Sequence, residues 1–133
     1  MERLLGQYSL YLYAVMRIVV GFLFACHGAQ KLFGVLGGLG PSGGSAPIFS
    51  LMGLGGVIEL FGGLCIMLGW LTGSVAFIAS GEMAAAYFMS HHPRSFWPIL
   101  NSGERAVLFC FIFLYMASVG SGVWSIDRAY GKS

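Results

Sequence analysis

The stretch GGVIELFGGLCIMLGW, residues 55–70, is almost wholly apolar and yet contains a glutamate, Glu59. Positions three and four residues apart share one face of a helix, so four glycines lie on the same face as this carboxylate. They are Gly55, Gly56, Gly62 and Gly63. Small residues on one face let two membrane helices approach closely. The stretch therefore predicts a membrane helix whose Glu59 points toward a tightly packed neighbouring helix.

The composition of the whole chain is typical of an integral membrane protein. Of its 133 residues, 57% are hydrophobic and 9% are charged, whereas a soluble domain carries about 25% charged residues. The net charge of +2 is too small to indicate a nucleic-acid partner. The first apolar run is too long for a cleavable signal peptide and is interrupted by Arg17. We expect the lipid bilayer of the cell inner membrane to surround the protein.

Four apolar runs are long enough to cross a bilayer, which takes about 20 residues per helix. They cover about residues 9–33, 51–69, 73–90 and 104–123. The segment 34–50 between the first two is rich in glycine and contains two prolines, so it is expected to be a loop. The sequence thus predicts an all-α fold, a four-transmembrane-helix bundle with a glycine-rich first loop, forming a single membrane domain over residues 1–133. Both termini would lie on one side, which we expect to be the cytoplasm.

Charged residues within the apolar runs are the candidate functional groups. Glu82 lies near the middle of the third run. A lone charge at the centre of a bilayer costs about 2.5–3.5 kcal/mol, so it usually has a partner. One stripe of the first run carries Arg17, His27 and Lys31. These residues predict a polar cleft that opens outward and has Glu59, Glu82 and Arg17 at its floor. The alternative is that the charges only pack helices together, with Lys31 as an interface anchor.

Other polar and aromatic residues lie at the same end of the expected bundle. Glu104 begins the fourth run, where the helix dipole alone explains a carboxylate. Four aromatic residues are available to line the cleft: Phe24, Phe88, Phe96 and Trp97.

The three cysteines have no metal-binding spacing and are interpreted as buried free thiols: Cys26, Cys65 and Cys110.

The motifs RIVVGFLFACHGAQKLFG, GGVIELFGGLCIMLGWLTG and GEMAAAYFMSHHPRSFWPILNSGERAV, followed by GSGVWSID, resemble the DoxX family of small membrane proteins. The resemblance implies a four-helix membrane bundle. Some relatives are small subunits of quinone-linked oxidoreductases, including thiosulfate:quinone oxidoreductase, and others belong to redox-stress and thiol-detoxification systems. If such a role carries over, the resemblance implies Glu59 and Glu82 as catalytic residues. It implies as cofactor-binding residues Arg17, His27, Lys31, Asn101 and Glu104.

Two functions remain compatible with these residues. The first is a quinone-binding accessory subunit of an oxidoreductase, in which a buried glutamate passes protons. The chain has no flavin or nucleotide motif, so a partner redox subunit would supply the electrons. The second is a non-catalytic structural or assembly subunit, or a homo-oligomer. Heme or metal is not expected, although His27, His91 and His92 are suitable ligand types, because the Glu-x-x-His pairing of di-iron bundles is absent. A transporter is disfavoured because no internal repeat is visible.

Overall fold

The computed structural model describes residues 1–132, and their regular structure is helical. The elements are α1 Glu2–Leu5, a 3₁₀ turn Gly6–Tyr8, α2 Ser9–Phe33, α3 Leu51–Leu68, α4 Thr72–Ala86, a π turn Tyr87–His91, α5 Pro98–Asn101, α6 Glu104–Val119 and α7 Ile126–Ala129. Extended pairing within these residues is limited to an isolated bridge between Leu39 and Gly44. The prediction of an all-α fold is confirmed.

Two helical segments are long and apolar enough to cross a membrane: Glu2–Phe33, with 32 residues, and Leu51–Leu68, with 18. The helices α4 and α6 have 15 and 16 residues, which corresponds to about 22 and 24 Å. Both are shorter than the roughly 30 Å of a hydrocarbon core. The π turn continues α4 by five residues. That α4 and α6 also cross the membrane stays a prediction.

Local sequence sets the ends of α2 and α3. Gly34 ends α2 with a φ of +67°, and Gly69 ends α3 with a φ of +70°. Glycine adopts this left-handed conformation at little cost, which is why it commonly ends helices. The hydroxyl of Ser50 begins α3 by accepting a hydrogen bond from the Gly53 N–H at 3.0 Å. Residues 34–50, between the two helices, contain no helix.

Glycines bring α2 and α3 into direct backbone contact. A side chain at Gly28 would collide with the α3 backbone at Leu60 and Gly56. Likewise, a side chain at Gly63 would lie 2.6 Å from the carbonyl oxygen of Gly21 in α2. Such contacts are available only to small residues. The prediction that the glycine face of Glu59 meets a tightly packed helix is confirmed, and that helix is α2.

The interior between the helices is filled mainly by aromatic and aliphatic side chains. Phe24 of α2 is fully buried, and its ring centroid lies 4.6 Å from that of Phe113 in α6. The helices α4 and α6 are also joined by the Ser80 hydroxyl, which donates to the Cys110 carbonyl oxygen at 2.8 Å. Phe24, one of the four aromatic residues available to line a cleft, therefore packs the core instead.

Candidate functional site

An ion pair joins the end of α2 to the middle of α3. The ammonium Nζ of Lys31 donates to Oε1 of Glu59 at 2.8 Å. The Glu59 side chain is 3% exposed, whereas that of Lys31 is 19% exposed. Because the two helices are consecutive and antiparallel, the last turn of α2 lies beside the first turns of α3. Lys31 therefore reaches inward from the loop end to a carboxylate that solvent barely touches.

Glu82 of α4 approaches the same point. A methyl group added at Gly55 would lie 3.1 Å from Oε1 of Glu82 and 3.7 Å from Nζ of Lys31. The charged groups that act on Glu82 are Glu59 and Lys31. The absence of a side chain at Gly55 thus leaves the space in which three charged groups from three helices converge. We refer to Lys31, Glu59 and Glu82 as the charged cluster.

The charged cluster has unused hydrogen-bonding capacity. Oε2 of Glu59 and Oε2 of Glu82 are both buried, and neither has a hydrogen-bond partner among residues 1–132. Buried polar atoms in folded proteins nearly always have a partner, so each exception calls for an explanation. Both oxygens are available to a proton, to a water molecule or to a ligand that donates hydrogen bonds.

His27 lies one helical turn before Lys31 and is partly buried. Its ring packs edge-on against Phe109 of α6, with ring centroids 6.1 Å apart. The charged groups that act on its imidazole are those of Arg105 and Lys31. The structure therefore places His27 beside the charged cluster, on the side that faces α6.

Arg17 lies at the opposite end of the bundle. Its fully buried guanidinium donates to four backbone carbonyl oxygens at 2.7 to 3.3 Å. They belong to Ile66, Met67, Val123 and Trp124. Fourteen residues separate Arg17 from Lys31, which is about 21 Å along a helix. The expectation that Arg17 shares a cleft floor with Glu59 and Glu82 is therefore wrong.

The arrangement around Arg17 satisfies the end of α3 and holds the C-terminal segment. The last carbonyl groups of a helix have no partner within the helix, and a cation near them is favourable. Asp127, which is buried, contributes its backbone N–H to the carbonyl oxygen of Gly69 at 3.0 Å. The hydroxyl of Tyr13 donates to the Gly120 carbonyl oxygen at 2.6 Å. Arg17 is thus a structural residue in this geometry.

Asn101 is buried and holds the loop that precedes α6. Its amide nitrogen donates to the Ser95 carbonyl oxygen at 2.7 Å and to the Tyr87 hydroxyl at 3.3 Å. Its amide oxygen accepts from the Gly103 N–H at 2.8 Å. Glu104, the next predicted site residue, is exposed in the first turn of α6. Neither residue is brought to the charged cluster.

An apolar groove of about 470 Å³ lies between α4 and α6, next to the π turn. Its lining includes Met83, Tyr87, Phe88, Phe96, Trp97 and Val107. Three of the four aromatic residues available to line a polar cleft, Phe88, Phe96 and Trp97, line this apolar groove. The π turn, which the sequence pattern did not predict, shifts the register at the end of α4; such turns are frequent at functional sites.

Residues 1–132 contain no group of three or more His, Cys, Asp or Glu side chains that could hold a metal ion. All three cysteines are free thiols and partly buried: Cys26, Cys65 and Cys110. The charged cluster contains only two carboxylates and an ammonium group.

The sequence model of the DoxX family matches residues 12–92, which include all of the charged cluster. The chain belongs to the DoxX family. It is a membrane protein by this membership, in agreement with its two long apolar helices. A protein of Haemophilus influenzae described as uncharacterized is similar to this DoxX chain, with 38% identity over 132 residues. That similarity covers 96% of this chain and 97% of the relative. No solved structure matches the chain.

The DoxX match separates the predicted site residues into two groups. It includes Arg17 and His27 in addition to the charged cluster, and it ends before Asn101 and Glu104. Asn101 and Glu104 both lie away from the charged cluster, as does Arg17, which the match includes.

Proposed function

We propose that this DoxX protein is a four-span subunit of the cell inner membrane that takes part in quinone-linked electron transfer through its charged cluster. The convergence of two carboxyl groups, each with a buried oxygen, on one ammonium group in an apolar helical protein is the observation that carries the proposal. Ionisable residues within membrane segments are rare and usually mark a functional site.

Exposed aromatic residues on each long helix support four spans. Phe22 of α2, Phe61 of α3, Phe77 of α4 and Phe111 of α6 are 55 to 65% exposed. Large exposed apolar patches on a protein surface mark contact with a membrane or a partner. Lipid around all four helices accounts for these side chains, and the π turn lengthens α4 toward the length that a span needs.

The composition of the charged cluster favours a role in proton transfer over a role in helix packing alone. Lys31 and Glu59 form a complete pair, and such a pair would be enough to join α2 to α3. Glu82 adds a second carboxylate that packing does not require and that burial makes expensive. A cluster with one more carboxylate than cations can take up and release a proton.

The residues present fit a quinone. The apolar groove beside Tyr87 and Trp97 suits an isoprenoid tail, while Lys31 and His27 are hydrogen-bond donors of the kind that quinone oxygens accept. A bound quinone supplies the capacity for two electrons and two protons. Glu59 and Glu82 would hold and move protons, and a partner redox subunit would deliver the electrons.

The partly exposed Lys31, in the last turn of α2, places the charged cluster near the loop end of the bundle. We place both termini in the cytoplasm, which puts the glycine-rich segment 34–50 and the loop before α6 on the outer side. Positive charges are divided almost evenly between the two sides, so the orientation needs its own test. Cysteine-accessibility labelling of introduced thiols at Ser42 and Ser133 in intact cells provides that test.

The function is tested with inner-membrane vesicles from a strain that lacks the gene and carries a variant copy. Glu82→Gln and Glu59→Gln should each abolish the part of quinone-dependent electron transfer that the wild-type copy restores. Glu2→Gln, which removes an exposed carboxylate, is the matched control and should keep full activity. Wild-type turnover in both cluster variants, with normal amounts of folded protein, would refute the proposal.

A non-catalytic structural or assembly subunit is the second candidate, and the completeness of the Lys31–Glu59 pair favours it. In that role the exposed apolar faces would contact a partner subunit or a second copy of the chain. The charged-cluster variants would then lose co-purification with the partner before any step of electron transfer changed.

A further inference from the structure

The charged cluster is not balanced in charge if both of its carboxyl groups are ionised. Lys31 supplies one positive charge, and its hydrogen bond is made to Glu59 at 2.8 Å. Glu82 has no hydrogen-bonded cation among the described residues, and Oε2 of its carboxyl group is buried without a partner. Glu82 is partly buried, and an ionised carboxylate that has a buried oxygen and no bonded cation is unfavourable. The arrangement is neutral when a single proton resides on the carboxyl groups.

The elements packed around Glu82 offer no second cation. From α2 comes Lys31, which is already paired, and from α3 comes Glu59, which is itself acidic. The helix α6 also packs against α4, and its charged residues, Glu104 and Arg105, are exposed in its first turn. His27 is turned toward Phe109 of α6. A proton is therefore the positive charge available to Glu82.

A proton on Glu82 also meets the hydrogen-bonding need of the charged cluster. An ionised carboxylate only accepts hydrogen bonds, whereas a protonated carboxyl group also donates one. Oε2 of Glu59 is a buried acceptor without a donor. The open space at Gly55 is where Glu82 and Lys31 converge on the helix that carries Glu59. Protonation of Glu82 supplies the cluster with a donor, whereas protonation of Glu59 would weaken the existing ion pair.

We propose that Glu82 carries one exchangeable proton while Lys31 and Glu59 remain an ion pair, and that this proton exchanges with the loop end of the bundle past Lys31. The carboxyl O–H bond breaks when the proton leaves, and the electron pair stays on the Glu82 carboxylate. This inference rests on the proposed function for the use of the proton, because the charged cluster is the same. The resting proton itself requires no quinone.

The experiment counts protonated carboxyl groups by infrared spectroscopy of the purified protein in quinone-free liposomes near neutral pH. Their C=O band shifts when H₂O is replaced by D₂O. The wild type should show a band equal to one buried protonated carboxyl group. Lys31→Met should double the band, since both glutamates then need a proton. Glu82→Gln should remove it, and the exposed control Glu2→Gln should leave it unchanged.

Shortening each glutamate identifies the residue that carries the proton. Glu82→Asp should move the C=O band, whereas Glu59→Asp should leave its position unchanged. Absence of the band from the wild type, or movement of the band by Glu59→Asp alone, would overturn the inference. A wild-type band together with unaffected quinone-dependent electron transfer in Glu82→Gln would refute the proposed function and leave the resting proton established.

Discussion

Nζ of Lys31, in the last turn of α2, lies 2.8 Å from Oε1 of Glu59, in the third turn of α3. The pair is possible because glycines let the two helix backbones touch over the turns that precede it. Close packing and ion pairing are therefore parts of one arrangement. Both must be intact for Glu82 to meet the other two charges.

Removal of the ammonium group should destabilise the protein. Lys31→Met removes the cation from the buried Glu59, whose carboxyl group must then take up a proton, and breaking a buried pair costs about 3–5 kcal/mol. The free energy of unfolding should fall by about 3 kcal/mol in a detergent titration followed by circular dichroism. Lys132→Met, at an exposed position, is the control and should change little. Equal stability of the two variants would show that the Lys31–Glu59 pair contributes nothing to folding.

A methyl group at the α2–α3 contact should separate the helices. Gly28→Ala places a carbon against the backbone of Leu60, and overpacking of this kind costs about 1–3 kcal/mol. Gly81→Ala in α4 is the matched control, because Gly81 is exposed and has nothing within 4 Å of the added carbon. Alanine is the better helix former by about 1 kcal/mol. We predict opposite shifts in melting temperature, and a loss of stability in both would contradict the packing.

Arg17 should hold the C-terminal segment without affecting the charged cluster. Arg17→Met removes four hydrogen bonds that the guanidinium donates to carbonyl oxygens. Two of these carbonyl oxygens belong to Val123 and Trp124. Amide hydrogen exchange should become at least tenfold faster over residues 120–127. The carboxyl infrared band should stay as in the wild type, since Lys31 is about 21 Å away along α2. Arg128→Gln, on an exposed side chain, is the control. Loss of the carboxyl infrared band in Arg17→Met would show that Arg17 acts on the charged cluster.

Asn101 should act on its loop and leave ligand binding unchanged. Asn101→Ala removes three hydrogen bonds, to Ser95, Tyr87 and Gly103. Leaving such buried groups unpaired costs about 1–3 kcal/mol. Hydrogen exchange in residues 92–103 should accelerate while quinone content per chain stays constant. Loss of quinone with an unchanged loop would instead support the cofactor-binding role that the family resemblance implied.

The sequence was most informative where one residue type repeated on a helix face. The glycines around Glu59 predicted a close helix neighbour, and the bounds 9–33 of the first run agree with α2. Lys31 was among the predicted partners of the buried carboxylates because it lies on the same stripe of that helix as Arg17 and His27.

Other features left no readable pattern in the sequence. The partners of Arg17 are backbone carbonyl oxygens, which any residue provides, so spacing could not separate this buried cation from Lys31. Likewise, Asn101 bonds mostly to backbone groups of its own loop. Asp127 ends the motif GSGVWSID, but its place in a short polar tail did not indicate that it is buried, although the Ser125 hydroxyl that caps α7 marks an ordered turn there.

Quinone content per chain is the most direct test of the proposed function. The tagged protein would be purified in native lipid with its partners, and extracted quinones would be counted by mass spectrometry. The account predicts a stoichiometric amount in the wild type and in the exposed control Glu2→Gln, and at least a tenfold loss in Lys31→Met and Glu82→Gln. Quinone at the level of the bulk lipid, equal in all four proteins, would contradict it.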